Sequence, residues 1–128
     1  MTQIKHELQK QEFVGDALLS AVVREYVYLW FEFKEERATN SNLCSSICSN
    51  RNLILVANRL GIEPFESEQQ GNISEKRFAN AVEITIYRLY AEYGYEYIKK
   101  WVMDNIITPY DDTWYKNRLI EIKNARTK

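Results

Sequence analysis

The apolar residues of this chain recur at helical spacing almost from end to end, and this pattern limits the fold more than any other feature. In the first segment Val14, Leu18, Val22 and Tyr26 follow one another every four residues. Together with the neighbouring Leu19, Val23, Val27 and Trp30 they form a wide apolar face of an α-helix. The spacing predicts a helix over Gln3–Phe33. Four Gly and two Pro are too few for a turn-rich sandwich, and the sequence contains no convincing pair of strands. The predicted fold is therefore an all-α, multi-helix bundle.

Shorter helices are predicted after this segment. They span Leu43–Ser49, Arg51–Leu60 with Gly61 as its C-cap, a stretch capped by Asn72 or Ser74 that ends near Tyr93, and a stretch from Gly94 to about Ile106. Residues 34–42 are polar and turn-like, and residues 62–72 are expected to form an exposed loop. Pro109 is expected to end the last of these helices, and residues 111–113 offer the N-cap of a final one.

Composition and charge narrow the class of protein. The 17 basic and 18 acidic side chains nearly cancel, which argues against a protein that coats nucleic acid by bulk charge. No apolar stretch approaches 18 residues, so no membrane contact is expected. Cys44 and Cys48 have the spacing to share a metal with His6, but a buried or half-buried thiol pair is the preferred interpretation. We therefore expect a soluble intracellular protein, with cytoplasm and nucleus both open.

Two pairs of polar side chains interrupt the apolar helices. Glu12 and Asp16 lie four residues apart, and Asn80 and Glu83 lie three apart, so each pair shares one helical face. Two acids at this spacing destabilise a helix, and a hard cation with oxygen ligands, such as Mg²⁺, is one way to offset that cost. Ordinary solvated positions are the alternative. Gly15, at a propensity cost of about 0.8–1.0 kcal/mol, marks a close approach of backbone or ligand.

Four stretches of sequence follow one another in the order of a known set of motifs. They are Glu12–Leu19, Ser49–Gly61, Lys76–Glu83, and the spacing of Ile86, Tyr90 and Gly94. The first closely resembles the Glu-Phe-Leu-Gly-Asp signature helix of the ribonuclease III family, and the others are similar to later motifs of that family. The resemblance covers Gln9 to Ile106.

This resemblance implies the domain organisation and the partners. Residues 1–109 would form a ribonuclease III endonuclease domain, and residues 110–128 would be a basic C-terminal tail or the start of a linker or RNA-binding segment. In the family this all-α domain pairs with a second copy, or with another ribonuclease III domain, around a cleft for double-stranded RNA. A homodimer or heterodimer is therefore expected.

The resemblance also implies a metal site. Glu12, Asp16 and Glu83 match metal-binding catalytic carboxylates, and Asn80 stands where the family has Asp. The expected cofactor is Mg²⁺, with Mn²⁺ as a substitute. Phe13 matches the aromatic residue that packs into the partner subunit.

A contact with the RNA backbone is expected in the second motif. Asn50 and Arg51 are the candidate residues, and capping of the following helix is an equal alternative for Asn50. Residues 116–128 add five basic side chains and one acidic one, which suits either a phosphate-contacting tail or a solvated terminal helix.

Two functions remain open from the sequence. The first is a magnesium-dependent endoribonuclease that cleaves double-stranded RNA as a dimer, which the joint presence of Glu12, Asp16 and Glu83 favours. The second is a catalytically inactive module of the same fold with a structural or RNA- or protein-binding role. Asn80 in place of Asp, and Gln9 in place of an additional Glu, favour the second.

Overall fold

The structure is a computed structural model that describes residues 2–30, 37–65 and 75–110. Its helices are α1 (Thr2–Glu25), α2 (Arg37–Ile47), α3 (Asn50–Leu60), α4 (Glu75–Tyr93) and α5 (Tyr95–Val102). A π-helical turn follows α1 at Tyr26–Trp30, and a second follows α5 at Met103–Ile107. No residue of the described ranges is in a strand, which confirms the predicted all-α fold. None of the described helices is both long and apolar enough to cross a membrane.

Helix α4 lies at the centre of the fold and packs against α1, α3 and α5. Its inward face is apolar, with Ala79, Val82 and Ile86 fully buried. Full burial of a Val or Ile side chain stabilises the fold by roughly 1.5–3 kcal/mol. The salt bridge between Lys99 of α5 and Glu25 of α1, at 2.7 Å, adds a polar connection on the other side of the bundle.

The long first helix is confirmed, and its most buried residues belong to one side of the predicted wide apolar face. Val14 is 36% exposed, and Leu18 and Tyr26 are only partly buried. The core-facing positions include Leu19 and Val23, both fully buried. The wider π-helical turn at the end of α1 shifts the register of the last residues. Residues 31–33 of the predicted helix lie outside the described residues.

Helix α2 corrects the prediction of a turn over residues 34–42. The helix begins at Arg37, although its first residues are polar. Once a helix is anchored by other residues, each residue added to its end gains one backbone hydrogen bond and needs no apolar side chain. Leu43, Cys44 and Ile47 supply the anchor, since all three are buried. Cys48 is half-buried, so the predicted buried thiol pair is confirmed.

Helix α3 has defined caps at both ends. The hydroxyl of Ser49 accepts a hydrogen bond from the Asn52 backbone N–H at 3.2 Å, and Gly61 ends the helix with φ 72° and ψ 27°. The C-cap at Gly61 is therefore confirmed. Asn50 is the first helical residue, so the prediction that it caps this helix is wrong, because Ser49 holds the capping position.

The segment after α3 is less exposed than predicted. Residues 62–65 have no regular structure, as expected, but Pro64 is buried and Phe65 is partly buried. The guanidinium of Arg88 lies 4.3 Å from the centre of the Phe65 ring and also donates to Gln11 Oε1 at 3.0 Å. This contact draws the start of the segment onto α4. Residues 66–72, and the predicted caps Asn72 and Ser74, lie outside the described residues.

Pro109 does not end the helical part, contrary to the prediction. Residues 108–110 remain helical, and the Thr108 N–H bonds the Met103 carbonyl to close the second π-helical turn. In an α-helix the N–H of residue 109 would bind the carbonyl of Asn105. Because residue 109 is proline and has no N–H, it cannot make this hydrogen bond. Arg59 of α3 donates to that carbonyl instead. The predicted final helix and basic tail lie outside the described residues.

Candidate active site

Helices α1 and α4 touch backbone to backbone at Gly15. A Cβ atom at this position would lie 1.8 Å from the carbonyl oxygen of Glu83 and 2.6 Å from its carbonyl carbon. Only glycine permits this distance, so the predicted close approach is confirmed and its partner is the α4 backbone. The crossing brings the acidic pair of α1 beside the polar pair of α4.

Asp16 and Glu83 lie within interaction distance of each other across this crossing. Glu83 is only 7% exposed. Its burial, followed by its hydrogen bond with Asp16 and the charges of Asp16 and Glu12, raises the pKa of Glu83 to about 9. This raised pKa favours the protonated form of the Glu83 carboxyl at neutral pH.

Glu12 has a different set of partners. The amide nitrogen of Asn80, in the orientation that satisfies its hydrogen bonds, donates to Glu12 Oε1 at 3.1 Å and to the Lys76 backbone carbonyl at 3.2 Å. Burial raises the pKa of Glu12, the ammonium of Lys76 opposes this shift, and the charge of Asp16 adds to it. Glu12 is thus held by one amide and lies within electrostatic reach of one ammonium.

The donor set matches a hard divalent cation in its chemistry. Three carboxyl groups and one amide supply only oxygen ligands, which Mg²⁺ prefers. Carboxylates bind metal in their deprotonated form, so a cation at these residues would compete with the proton of Glu83. Among the described residues, no three His, Cys, Asp or Glu side chains already converge on one point. The observed contacts among these residues are pairwise.

The structure brings four of the seven predicted residues together. These are Glu12, Asp16, Asn80 and Glu83. Phe13 instead lies on the surface of α1, 77% exposed, and lines a shallow apolar depression with its neighbours His6, Gln9, Lys10 and Val14. Asn50 and Arg51 are exposed in the first turn of α3.

Two neighbours of the site were not predicted as part of it. Lys76 precedes Asn80 by one helical turn, and this spacing in the sequence is enough to predict that the two side chains share a face of α4. Cys48, the first residue after α2, lies within electrostatic reach of Asp16 and Glu83. Burial, followed by the charges of Cys44 and Asp16, raises the pKa of Cys48 to about 12, so its thiol stays protonated. No sequence spacing connects Cys48 with the acidic pairs.

Comparison with known proteins decides the family. The family model described as the ribonuclease III domain matches residues 9–106, which is most of the chain. This chain belongs to the ribonuclease III family. The matched segment includes both polar pairs of the site and every described helix except the start of α1 and the last residues of the helical part.

Relatives named Ribonuclease 3 support this assignment. The protein from Bacteroides fragilis is 32% identical over 123 residues, covering 88% of this chain and 42% of the relative. The protein from Phytoplasma mali is 26% identical over 133 residues, covering 97% of this chain and 58% of the relative. This ribonuclease III-like chain therefore spans roughly half the length of these relatives.

A solved structure has the same fold. The nuclease domain of ribonuclease III from Campylobacter jejuni superimposes with a TM-score of 0.66 at 27% identity, over 77% of this chain and 73% of that chain. That structure is described in terms of flexibility in a region involved in dimer formation. The predicted ribonuclease III endonuclease fold is confirmed.

Proposed function

We propose that this member of a nuclease family is an endoribonuclease that cleaves double-stranded RNA by magnesium-dependent hydrolysis as a dimer. One observation carries the proposal. Glu12, Asp16 and Glu83 come from two helices, and their charges act on one another near the backbone contact at Gly15. Burying a protonated Glu and crowding three carboxyls is costly for a site with no cation to bind.

The proposed metal ligands are the carboxylates of Glu12, Asp16 and Glu83, with the amide oxygen of Asn80 as a fourth oxygen donor. Mg²⁺ is the proposed cofactor, and Mn²⁺ is expected to substitute. A cation held there would supply an activated water and would neutralise charge that develops on the phosphate. Glu83 would hold the cation in its deprotonated form, because only the carboxylate is a good ligand. The Asn80 N–H orients Glu12 through the 3.1 Å hydrogen bond.

The proposed dimer face is the surface around Phe13. Phe13 is 77% exposed and Val14 is 36% exposed, on the helix that carries Glu12 and Asp16. Large exposed aromatic side chains are unfavourable in water and typical of interface anchors. A second copy, or another ribonuclease III domain, would cover them. Such a pair places one acidic site at each strand of a duplex, so both strands can be cut.

The proposed RNA contact lies at the start of α3. Asn50 and Arg51 are exposed there, in the helical turn whose free backbone N–H groups favour a phosphate. The Arg51 side chain adds a positive charge to this turn. Such contacts fix the position of the RNA backbone and carry no sequence information.

The experiment compares one RNA sequence as a duplex and as a single strand, each end-labelled, with Mg²⁺ present. We expect short products from the duplex only. Glu83→Gln is expected to reduce the rate by about a hundredfold or more, whereas Glu96→Gln, at an exposed position of α5, is expected to leave it unchanged. Equal cutting by Glu83→Gln, or an intact duplex under conditions where a dimer is demonstrated, would contradict the proposal.

A catalytically inactive module with a structural or RNA- or protein-binding role is the second candidate. Asn80 favours it, because an amide at this position lacks the charge and the proton-accepting capacity of the Asp that the family has. The variant Asn80→Asp separates the two candidates. A duplex that wild-type protein binds without cutting, and that Asn80→Asp cuts, would establish the inactive module.

A further inference from the structure

Three exposed tyrosines lie near the joint between α4 and α5. Tyr93 is the last residue of α4 and is 55% exposed, and Tyr97 lies in the first turn of α5 and is 44% exposed. Tyr90, one turn before Tyr93, is 38% exposed. The acidic site at the α1–α4 crossing uses none of these three phenols. Their rings are open to reagents in solution, so their chemistry can be considered separately from that site.

Tyr93 and Tyr97 are in direct contact. Their ring centroids are 4.5 Å apart, and the ring planes are inclined by 31°. This distance lies at the short end of the range for aromatic pairs in proteins, so the edges of the two rings are in van der Waals contact. Because both rings are about half exposed, an oxidant can reach them, and each ring has room to turn towards the other.

The backbone between the two tyrosines is a joint and not a continuous helix. Gly94 ends α4 and precedes α5 with a φ of 91°, a conformation that favours glycine. The Ile98 N–H donates to the Gly94 carbonyl at 3.4 Å, which is longer than the usual distance of about 2.9–3.0 Å. The first hydrogen bond of α5 is therefore weak. A small change in the angle between α4 and α5 can bring the two rings closer at low cost.

A carboxylate lies next to one of the two phenols. Glu92 is exposed, and its charge acts on the Tyr93 phenol. A phenol that gives up an electron also gives up its proton, and an ionised carboxylate is an acceptor for that proton. Glu92 is therefore placed to assist one-electron oxidation of Tyr93.

We propose that Tyr93 and Tyr97 form an oxidative modification site, at which a haem peroxidase with hydrogen peroxide joins the two rings in a dityrosine cross-link within one chain. Each phenol loses one electron and one proton and becomes a phenoxyl radical. The two radicals form a carbon–carbon bond between ring positions next to the hydroxyls, and the hydrogens at those positions move to the oxygens and restore both phenols. Hydrogen peroxide takes up the two electrons and two protons and leaves as two water molecules.

This cross-link would span Gly94 and fix the start of α5 to the end of α4. It goes beyond the proposed nuclease activity and does not depend on it. The site needs only the two rings, the open surface around them and the joint that lets them approach.

The test treats the full chain with a haem peroxidase and a limiting amount of hydrogen peroxide. Single chains are then isolated under denaturing conditions and digested with trypsin. Trypsin cuts after Arg88 and Lys99, so both tyrosines stay in one peptide, residues 89–99. We expect this peptide to lose two hydrogen atoms, to gain the blue fluorescence of dityrosine, and to give no fragments from breaks between Tyr93 and Tyr97.

Tyr93→Phe and Tyr97→Phe are each expected to abolish this product, because phenylalanine keeps the shape of the ring and lacks the phenol. Tyr90→Phe is the matched control at a neighbouring exposed position, and it is expected to leave the product unchanged. A product that persists in Tyr93→Phe would overturn the proposal. So would tyrosines that couple only between two chains, or an unmodified peptide in a reaction that couples added free tyrosine.

A second measurement tests the effect on the joint. Amide hydrogen exchange at Ile98 is expected to be slower in the cross-linked chain, because opening of the weak hydrogen bond to Gly94 requires α5 to move away from α4. Exchange at the same rate in cross-linked and untreated chains would contradict the claim that the cross-link fixes the joint.

Discussion

The substitution Gly15→Ala tests the backbone contact on which the site depends. The new methyl group would lie 1.8 Å from the Glu83 carbonyl oxygen, and real Cβ contacts do not fall below 3.0 Å, so α1 and α4 must separate by at least 1.2 Å. The obstacle is backbone, and no side-chain rotation relieves it. The helices must therefore move apart along part of their length, which opens the buried layer around Glu83.

Two effects of opposite sign determine how much Gly15→Ala changes the free energy of unfolding. Alanine is favoured over glycine in a helix by about 1 kcal/mol. Overpacking costs about 3 kcal/mol at the upper end of its usual range, which applies here because backbone atoms collide. The expected net result is a loss of about 2 kcal/mol in the free energy of unfolding. Helix propensity alone predicts a gain, so the sign of the change decides between the two effects.

Urea unfolding followed by circular dichroism measures this change. Ala21→Gly, at an exposed position of the same helix, is the control, and it is expected to cost about 1 kcal/mol through propensity alone. A Gly15→Ala protein as stable as wild type, or more stable, would refute the backbone contact between Gly15 and Glu83. The account also expects weaker Mg²⁺ binding by this variant, because the two pairs of ligands move apart.

Three further predictions concern single residues. The pKa of Glu83 is raised from 4.5 to about 9 in the folded state, so the folded protein binds a proton that the unfolded chain has lost. As pH rises through this window, the free energy of unfolding of wild type is expected to fall relative to Glu83→Gln, by at most about 1.4 kcal/mol per pH unit. Parallel stability–pH curves for the two proteins would contradict the burial of this acid. Phe13→Ser is expected to lower the sedimentation coefficient from the value of a dimer to that of a monomer. The stability of the monomer is expected to stay unchanged, because the ring is 77% exposed. Arg59→Ala is expected to cost about 1 kcal/mol in thermal unfolding, because it leaves the Asn105 carbonyl without this donor, and Arg51→Ala in the same helix is the control with no loss.

The features that the sequence predicted correctly are those set by local spacing. The helical period, the αL cap at Gly61 and the unfavourable Gly15 in the middle of α1 are each visible within a few residues of chain. The pairing of Glu12 and Asp16 with Asn80 and Glu83 joins segments more than 60 residues apart in the numbering. It was expected only because the motifs resembled a known family.

Other features depend on contacts that no local pattern encodes. The helical passage through Pro109 is supported by Arg59, which lies 46 residues before the Asn105 carbonyl that it binds. The protonated state of Glu83 follows from its burial, and a glutamate on a helix gives no sign of burial in the sequence. Helix α2 starts early because buried residues near its C-terminal end anchor it. The residues that lengthen it are polar, so the sequence pattern gives no sign of a helix there.

The most direct test of the account is restoration of activity by metal. Chelator-treated protein is mixed with labelled RNA duplex, and the initial rate of cleavage is followed as Mg²⁺ is added back. The account predicts no cleavage without the cation, a rate that rises to saturation as Mg²⁺ binds, and no recovery in Glu83→Gln at the same Mg²⁺ concentrations. Duplex cleavage that persists in excess chelator, or that Mg²⁺ restores equally in Glu83→Gln, would contradict a metal-dependent active site at the α1–α4 crossing.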